Sequence, residues 1–549
     1  MKATPINITI SSLELGWNSF LPPKALASSD VISSALRNLE FALQNTTKLA
    51  NSTVSLTASV NSFSVTLFDT SSTVYEFQHS VANKSLLAET STQNVDVDTV
   101  YRVGSLSKLL TAYLFLIEAG DCYWDRSVTD FIPELDQAAR SCVAGKDPVD
   151  CVDWKGILLP QTLSLKLGSC ACKGNSQRSL DFPAQQQRDT AMRFDRQYTV
   201  LARRYVQPSG LARRHPVFAP FTTPIYSNAA FQLLGYALEN ITGHDYAPTL
   251  QTSLFDRLNM TRSSYDQPID TTNKIIPGDA TTSGWNYNVG DEGPAAGIYS
   301  TPADFVRLGQ SILSHRFLSP LTTRRWMKPS THTSSLQMSV GKPWEILRTQ
   351  VSNRVVDLYT KSGDIGSYSA YIVLLPDYEA GFVIMSAGDG ATANVGYLAD
   401  TVTEHFLPAL EQAARAQAEA QFAGTYTAAA LNSSITLAVA DAKSGLQVSR
   451  WVSNALRNAK SAVDLRLYPT DLVTENGNGT EIAFRSVVLP SASNGGGVFT
   501  QTGRCATWGG VDGVMYGEVA IDDFVFGLDA KGDAVSVEPR VLRATLEKQ

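Results

Sequence analysis

No run of about eighteen apolar residues, the length that crosses a bilayer, occurs in this 549-residue chain. The nearest approach, Leu109 to Ile117, has the length of a buried core helix, so no membrane-spanning helix is expected. Basic excess is lacking too. The 45 Lys+Arg against 52 Asp+Glu leave a formal net charge of -7, which gives no electropositive footprint for nucleic acid. Histidine is scarce and scattered: His79, His215, His244, His315, His332 and His405 show no H-x-H or H-E-x-x-H spacing. The six cysteines (Cys122, Cys142, Cys151, Cys170, Cys172 and Cys505) lack the paired CxxC spacing of a zinc site. There is no G-x-S-x-G elbow, P-loop or dinucleotide fingerprint, so neither a metal nor a cofactor is implied. Residues 1 to 30 contain no basic start followed by a continuous apolar block, and no secretory signal is expected in the chain as given.

What remains is globular: 43% hydrophobic and 18% charged residues exclude collagen-like, coiled-coil and wholly disordered chains. The six cysteines could form three bridges, and Asn-x-Ser/Thr sequons stand at Asn7, Asn45, Asn51, Asn83, Asn240, Asn259, Asn432 and Asn478, about twice what composition gives. A secreted or extracellular glycoprotein is the expectation, with a reduced cytoplasmic enzyme as the alternative.

Residues 1 to 30, with Leu21-Pro22-Pro23, read as an arm. Val31 to Leu43 has helical apolar spacing ahead of a Ser/Thr/Val-rich stretch at 52 to 75 that predicts strands. A helix starting near Ser105 should end at Ala119-Gly120-Asp121, and Trp124 to Leu135 reads as loop and short helix. Val355 to Tyr359, Tyr368 to Leu375 and Gly381 to Ser386 predict an antiparallel meander broken at Gly363-Asp364 and Pro376-Asp377. A helix from Gly396 to about Phe406 and a separate linking helix over 411 to 422 follow. From 423 to 549, short strands with Asn-Gly, Gly-Gly and Asp-Gly turns predict a β-rich second domain. Between them, 160 to 215 is a polar insertion: nine Lys/Arg against Asp181, Asp189 and Asp195 over 173 to 215. It reads as a solvated loop, with an anion- or partner-binding patch as the alternative.

Three motifs carry chemistry. Ser105-Leu106-Ser107-Lys108 places a hydroxyl and an amine three residues apart, on one helix face, and a serine beside a base is a candidate nucleophile. A second Ser-x-x-Lys, Ser339 to Lys342, runs into Pro343, which disfavours a helix there. Tyr226-Ser227-Asn228 lies between Pro224 and the helical run Ala229 to Leu238, where Asn228 could equally be a helix cap. Lys361-Ser362-Gly363 lies between a strand and the apolar alternation after it, and Lys443-Ser444-Gly445 repeats it in the later domain. Taken singly, each has a structural explanation.

In this order, 121 and 135 residues apart, the trio resembles the serine β-lactamase and penicillin-binding-protein superfamily. It is closest to the class C β-lactamase and D-alanyl carboxypeptidase-like esterase branch, which Tyr101-Arg102-Val103-Gly104 and Gly366-Ser367-Tyr368-Ser369 also resemble. The resemblance covers about 31 to 410, and the residues after 423 are similar to the tail domain of fungal members. It implies an α/β (α+β) fold: an antiparallel sheet flanked by helices with a helical subdomain (β-lactamase/transpeptidase-like), then a smaller all-β C-terminal domain. It also implies a serine hydrolase or acyltransferase acting on esters or amides of small molecules.

In that reading Ser105 attacks a carbonyl and Lys108 or Tyr226 takes its proton. Lys108 and Lys361 would converge on Tyr226, favour its phenolate and depress each other's pKa. Asn228 would orient Lys108 and substrate. Lys361, with Ser362 and Gly363, would hold an acidic or polar substrate group, and the strand N–H near Asp364 would complete the oxyanion hole. The chain departs from the pattern in two places. No Glu occurs between Glu134 and Glu239, which removes the class A deacylation route. After Val152-Asp153-Trp154 the Gln/Arg-rich insertion replaces a short helix with a Ser/Gly-rich loop. A non-catalytic ligand-binding protein on the same fold is the second reading.

Overall fold

A computed structural model describes residues 19–48, 59–141, 148–159, 215–268, 273–352, 354–440, 443–453, 456–457, 464–476, 479–489 and 509–549. The polar insertion lies outside them except for His215. In chain order, the elements that frame the first domain are α1 (Asp30–Lys48), β1 (Asn61–Asp69), β2 (Thr73–His79), β3 (Tyr101–Arg102), α2 (Ser107–Glu118), α3 (Pro133–Ser141) and α4 (Asn228–Thr242). They continue with β4 (Tyr299–Ser300), α5 (Pro302–Leu313), β5 (Thr331–His332), β6 (Met338–Val340), β7 (Glu345–Val351), β8 (Arg354–Ile365), β9 (Tyr368–Leu375), β10 (Ala380–Gly388) and α6 (Ala391–Phe422).

Eight strands form an antiparallel sheet in the order β2-β1-β10-β9-β8-β7-β6-β5. Its central strands are buried on both faces, so alternate side chains enter different cores. Phe63, Val65, Leu67, Phe382 and Ile384 join Ile32 and Leu39 of α1 and Leu398 and Val402 of α6. Phe68, Val383 and Met385 face the opposite way and join Leu109, Leu233 and Phe305, from α2, α4 and α5. The sheet is thus sandwiched between a pair of long helices and a helical subdomain, as the expected fold class requires.

The second domain is a nine-stranded antiparallel sheet running from Gly424 to Lys548. Its edge strand Ser433–Ala438 also pairs with Leu446–Ser453, which closes the sheet on itself and removes most of the exposed edge. Phe422, at the end of α6, packs its ring against Phe484 and Phe526 inside this second core, where Ala414, Ala418 and Phe20 also lie.

Several expectations are corrected. The two helices expected over 396–406 and 411–422 are one, α6, with Pro408 inside it. Its buried side continues without a break from the first core, through Leu398, Val402, Phe406 and Leu410, to Phe422 in the second, and this packing outweighs the hydrogen bond that Pro408 cannot make. Gly363-Asp364 is no turn: β8 runs through it to Ile365, and the reversal comes at Gly366, where φ is +56°. The helix expected to start near Ser105 opens with a 3-10 turn, Gly104–Leu106, before α2 begins at Ser107. Cys122 carries a free thiol, so at most two bridges can form among the other five cysteines. The decoy Ser339-Val340-Gly341-Lys342 has its serine on strand β6, which separates the hydroxyl from the amine. Among the described residues no helix is long and apolar enough to cross a membrane, and no group of three or more His, Cys, Asp or Glu could hold a metal.

Candidate active site

The place where the three motifs meet follows from the sheet. The pairing of β7 with β8 ends at Glu345 opposite Thr360, whereas β8 continues along β9 from Lys361 opposite Ile372 to Ile365 opposite Tyr368. Residues 361–365 therefore have one edge without a neighbouring strand, and the turn carrying Ser105 is pressed against it. The fit is backbone to backbone. A Cβ added to Gly363 would lie 2.1 Å from Val103 O, 2.5 Å from Leu106 N and 2.8 Å from Ser105 N. Gly104 has φ +50°, and a Cβ there would lie 2.7 Å from the carbonyl of Asp364. Only glycine satisfies both the left-handed backbone and that approach. Arg102 buttresses the turn from below: its guanidinium donates to Gly284 O (2.8 Å) and Tyr287 O (2.6 Å) and lies 4.7 Å from the Tyr299 ring centroid.

Lys108, buried as the second residue of α2, reaches back to this point. Its Nζ lies 2.8 Å from Ser105 Oγ, 2.7 Å from Asn228 Oδ1 and 2.8 Å from Ala295 O. Tyr226 supplies a second contact, hydroxyl to Ser105 Oγ. The Tyr226 ring is flanked by both amines, with its centroid 4.7 Å from Lys108 Nζ and 5.5 Å from Lys361 Nζ. Ser227 caps α4 by accepting from Ala230 N, which frees Asn228, the first residue of the helix, to aim its amide at Lys108. The cap reading of Asn228 is corrected: the neighbouring serine fills that role.

Lys361 and Ser362 are engaged by a residue that no sequence motif marks. Glu345, at the start of β7, accepts from Lys361 Nζ through Oε1 (2.5 Å) and from Ser362 N and Ser362 Oγ through Oε2 (2.9 Å each). Lys361 Nζ also donates to its neighbour's carbonyl, Ser362 O (2.8 Å). Asp364, exposed at the end of the strand, accepts from Thr392 Oγ1 at the start of α6 (2.6 Å). Glu345 lies sixteen residues before Lys361. Only the β7–β8 register, with Glu345 opposite Thr360, brings it there. Ala295, whose carbonyl receives Lys108, carries no chemical signature in its side chain either.

The electrostatics divide the two lysines. Burial, then repulsion from Lys361, holds Lys108 well below the usual lysine range. Burial also pushes Lys361 down, but Glu345 and Tyr226 outweigh it and its pKa lies above the ordinary value. Tyr226 is raised, because burial among protein atoms exceeds the attraction of Lys361. With 45% of the residue exposed, that push is moderated by water, yet the direction opposes a phenolate. The expectation of a Tyr226 phenolate between two mutually depressed lysines is corrected in part: Lys361 does depress Lys108, but Glu345 and Tyr226 hold Lys361 up, and at Tyr226 burial outweighs the attraction of Lys361.

Comparison with known proteins places these residues in a wider set. Residues 181–405 match the family model described as Beta-lactamase, and residues 414–549 match that described as Beta-lactamase-like-like, C-terminal domain. The first span holds Tyr226, Asn228, Glu345 and Lys361. The Beta-lactamase-like protein of Arthroderma benhamiae is 28% identical over 525 residues, 86% of this chain and 84% of that one. Probable hydrolase clz13 of Cochliobolus lunatus is 27% identical over 423 residues, 70% of this chain and 65% of that one. Among solved structures, a class C beta-lactamase at 18% identity covers 69% of this chain and 98% of its own, with a TM-score of 0.47.

Proposed function

We propose that this chain, which is similar to β-lactamase-like proteins over residues 181–405 and 414–549, cleaves esters or amides of small molecules through an acyl-enzyme on Ser105. The observation that carries this reading is the set of partners around Lys108 Nζ. Asn228 Oδ1 and Ala295 O can only accept, so they use two N–H bonds of the amine. The third direction points at Ser105 Oγ. In the neutral amine, which burial and Lys361 favour, that direction holds the lone pair, and the serine hydroxyl donates to it.

The first step then balances without metal. The Ser105 proton passes to Lys108 Nζ, Oγ bonds to the substrate carbonyl carbon, and the carbonyl electrons move onto oxygen. The Ser105 N–H, at the positive end of α2, and the N–H of Asp364 on β8 are the donors proposed for that oxyanion. Tyr226, a neutral phenol in contact with Oγ, relays the proton from Lys108 to the leaving oxygen or nitrogen as its bond to carbon breaks. Attack by water, activated by the same pair, releases the acid. An alcohol or amine in place of water gives acyl transfer.

Mass spectrometry of the intact protein after exposure to a fluorophosphonate or penicillin tests the reading. The expected result is one adduct per chain, absent in Ser105→Ala. No adduct in the parent protein, alongside specific binding unchanged by Ser105→Ala, would move the assignment to the non-catalytic binding protein.

A further inference from the structure

The resemblance alone leaves Lys361 and its neighbours to an acidic or a polar substrate group, and the geometry points away from the acidic one. We propose that Glu345 and Asp364 make this site select uncharged or cationic esters over those that bring a carboxylate to the Lys361–Ser362 corner. The proposal rests on the serine-hydrolase reading above and adds the substrate class.

Consider which charges a substrate meets. Both lysine side chains are withdrawn: Lys108 and Lys361 are each 1% exposed. The carboxylates are the accessible groups, with the Glu345 side chain 22% exposed and Asp364 open to solvent. A carboxylate entering this corner would look for the Lys361 ammonium, the Ser362 hydroxyl and the Ser362 N–H. Glu345 already holds all three, one through Oε1 and two through Oε2. The chain thus supplies its own anion where the incoming one would bind. Binding a second carboxylate requires either expelling Glu345 from a charge-assisted contact or placing two like charges together, and both oppose binding.

Asp364 adds to this. It has no cationic partner among the described residues, only the Thr392 hydroxyl, so its charge is left uncompensated beside the nucleophile turn. Lys361 with Glu345 is a neutral pair. Among these described side chains the charge left facing the solvent beside the nucleophile turn is that of Asp364, which is negative, and it repels anions and attracts cations. Glu345 and Asp364 are specificity-determining residues in this account, and the transfer of the acyl group itself proceeds as above.

The test uses three aryl acetates that share the acyl group and differ in one meta substituent on the phenol: carboxylate, carboxamide or trimethylammonium. Each kcat/KM is divided by the rate of hydroxide hydrolysis to remove leaving-group effects. The wild-type chain is expected to disfavour the carboxylate relative to the carboxamide by at least about sixfold, the repulsion of one like charge about 4 Å away screened by water alone. Glu345→Gln keeps a hydrogen-bond acceptor for Lys361 and should recover most of that ratio. Asp364→Asn, at an exposed position where the amide oxygen can still accept from Thr392, should recover about threefold in low salt. Equal turnover of all three esters, preference for the carboxylate, or a ratio unmoved in both variants would overturn the proposal while leaving the hydrolase reading intact. Absence of turnover together with absence of a Ser105 adduct would overturn both.

Discussion

Replacing Gly363 with alanine probes whether the strand and the nucleophile turn must touch. The added Cβ would lie 2.1 Å from Val103 O and below 3.0 Å from the nitrogens of Leu106 and Ser105, distances that real Cβ atoms essentially never show. All three atoms are backbone, so no side chain can rotate away. The strand and the turn must separate by roughly 1 Å to restore contact distance. Two costs follow. Overpacking of this kind destabilises by about 1–3 kcal/mol. Moving the Ser105 N–H relative to β8 by about 1 Å spoils alignment at the carbonyl, a misplacement worth about 100-fold in rate. The assay is kcat/KM on the neutral aryl acetate, with thermal unfolding in parallel. Gly396→Ala is the control, since a Cβ there meets nothing within 4 Å on helix α6; it should gain up to about 1 kcal/mol and leave activity unchanged. If Gly363→Ala keeps activity within about threefold of the parent, the contact between strand and turn does not govern the chemistry and the argument from alignment fails.

The pH profile gives a second check. With Lys108 acting as base, kcat/KM rises as Lys108 loses its proton, and because burial and Lys361 hold its pKa down, that rise falls below the ordinary lysine range. Glu345 lifts the pKa of both Lys108 and Lys361, so Glu345→Gln should move the acid and alkaline limbs to lower pH; movement of the acid limb upward refutes the assignment of base. A third prediction concerns the ion network at the other end of β8. Glu411, 2% exposed, accepts from Arg354 Nε (3.1 Å), Tyr378 Oη (2.9 Å) and Arg415 Nε (3.2 Å). Removing it in Glu411→Ala leaves the buried Arg354 charge with fewer partners and should cost about 3–5 kcal/mol in urea unfolding, and a loss under about 1 kcal/mol would show that Asp377 and Tyr378, which also accept from Arg354, suffice for it.

Legibility of the site divides by distance along the chain. The Ser105–Lys108 pair was readable because the two are three residues apart on a helical path, and the sequence neighbours Gly104 and Leu109 mark where that helix opens. Tyr226, Asn228 and Lys361 were found through their order and resemblance, although each taken singly has a structural explanation. Gly363 was misread as a turn residue. A glycine in a strand and a glycine in a reversal look alike in sequence, and the reason for this one is a backbone 105 turn lying against it. The choice between cap and site residue at Asn228 stayed open for a related cause: Ser227 and Asn228 are both good caps, and only the fold shows Ser227 capping the helix and Asn228 reaching Lys108.

Local chemistry and periodicity determined where the helices and the β8–β10 meander lie, which hydroxyl stands beside an amine, and that no metal motif is encoded, because those features depend on residues within a turn or a strand of each other. Tertiary structure decided the rest. Strand register carried Glu345 to Lys361 across sixteen positions, closure of the second sheet drew Phe422 into a different core, and burial pushed the pKa of Lys108 down and that of Tyr226 up while Glu345 and Tyr226 held that of Lys361 up. These outcomes depend on pairings and desolvation that arise only when distant segments share a space.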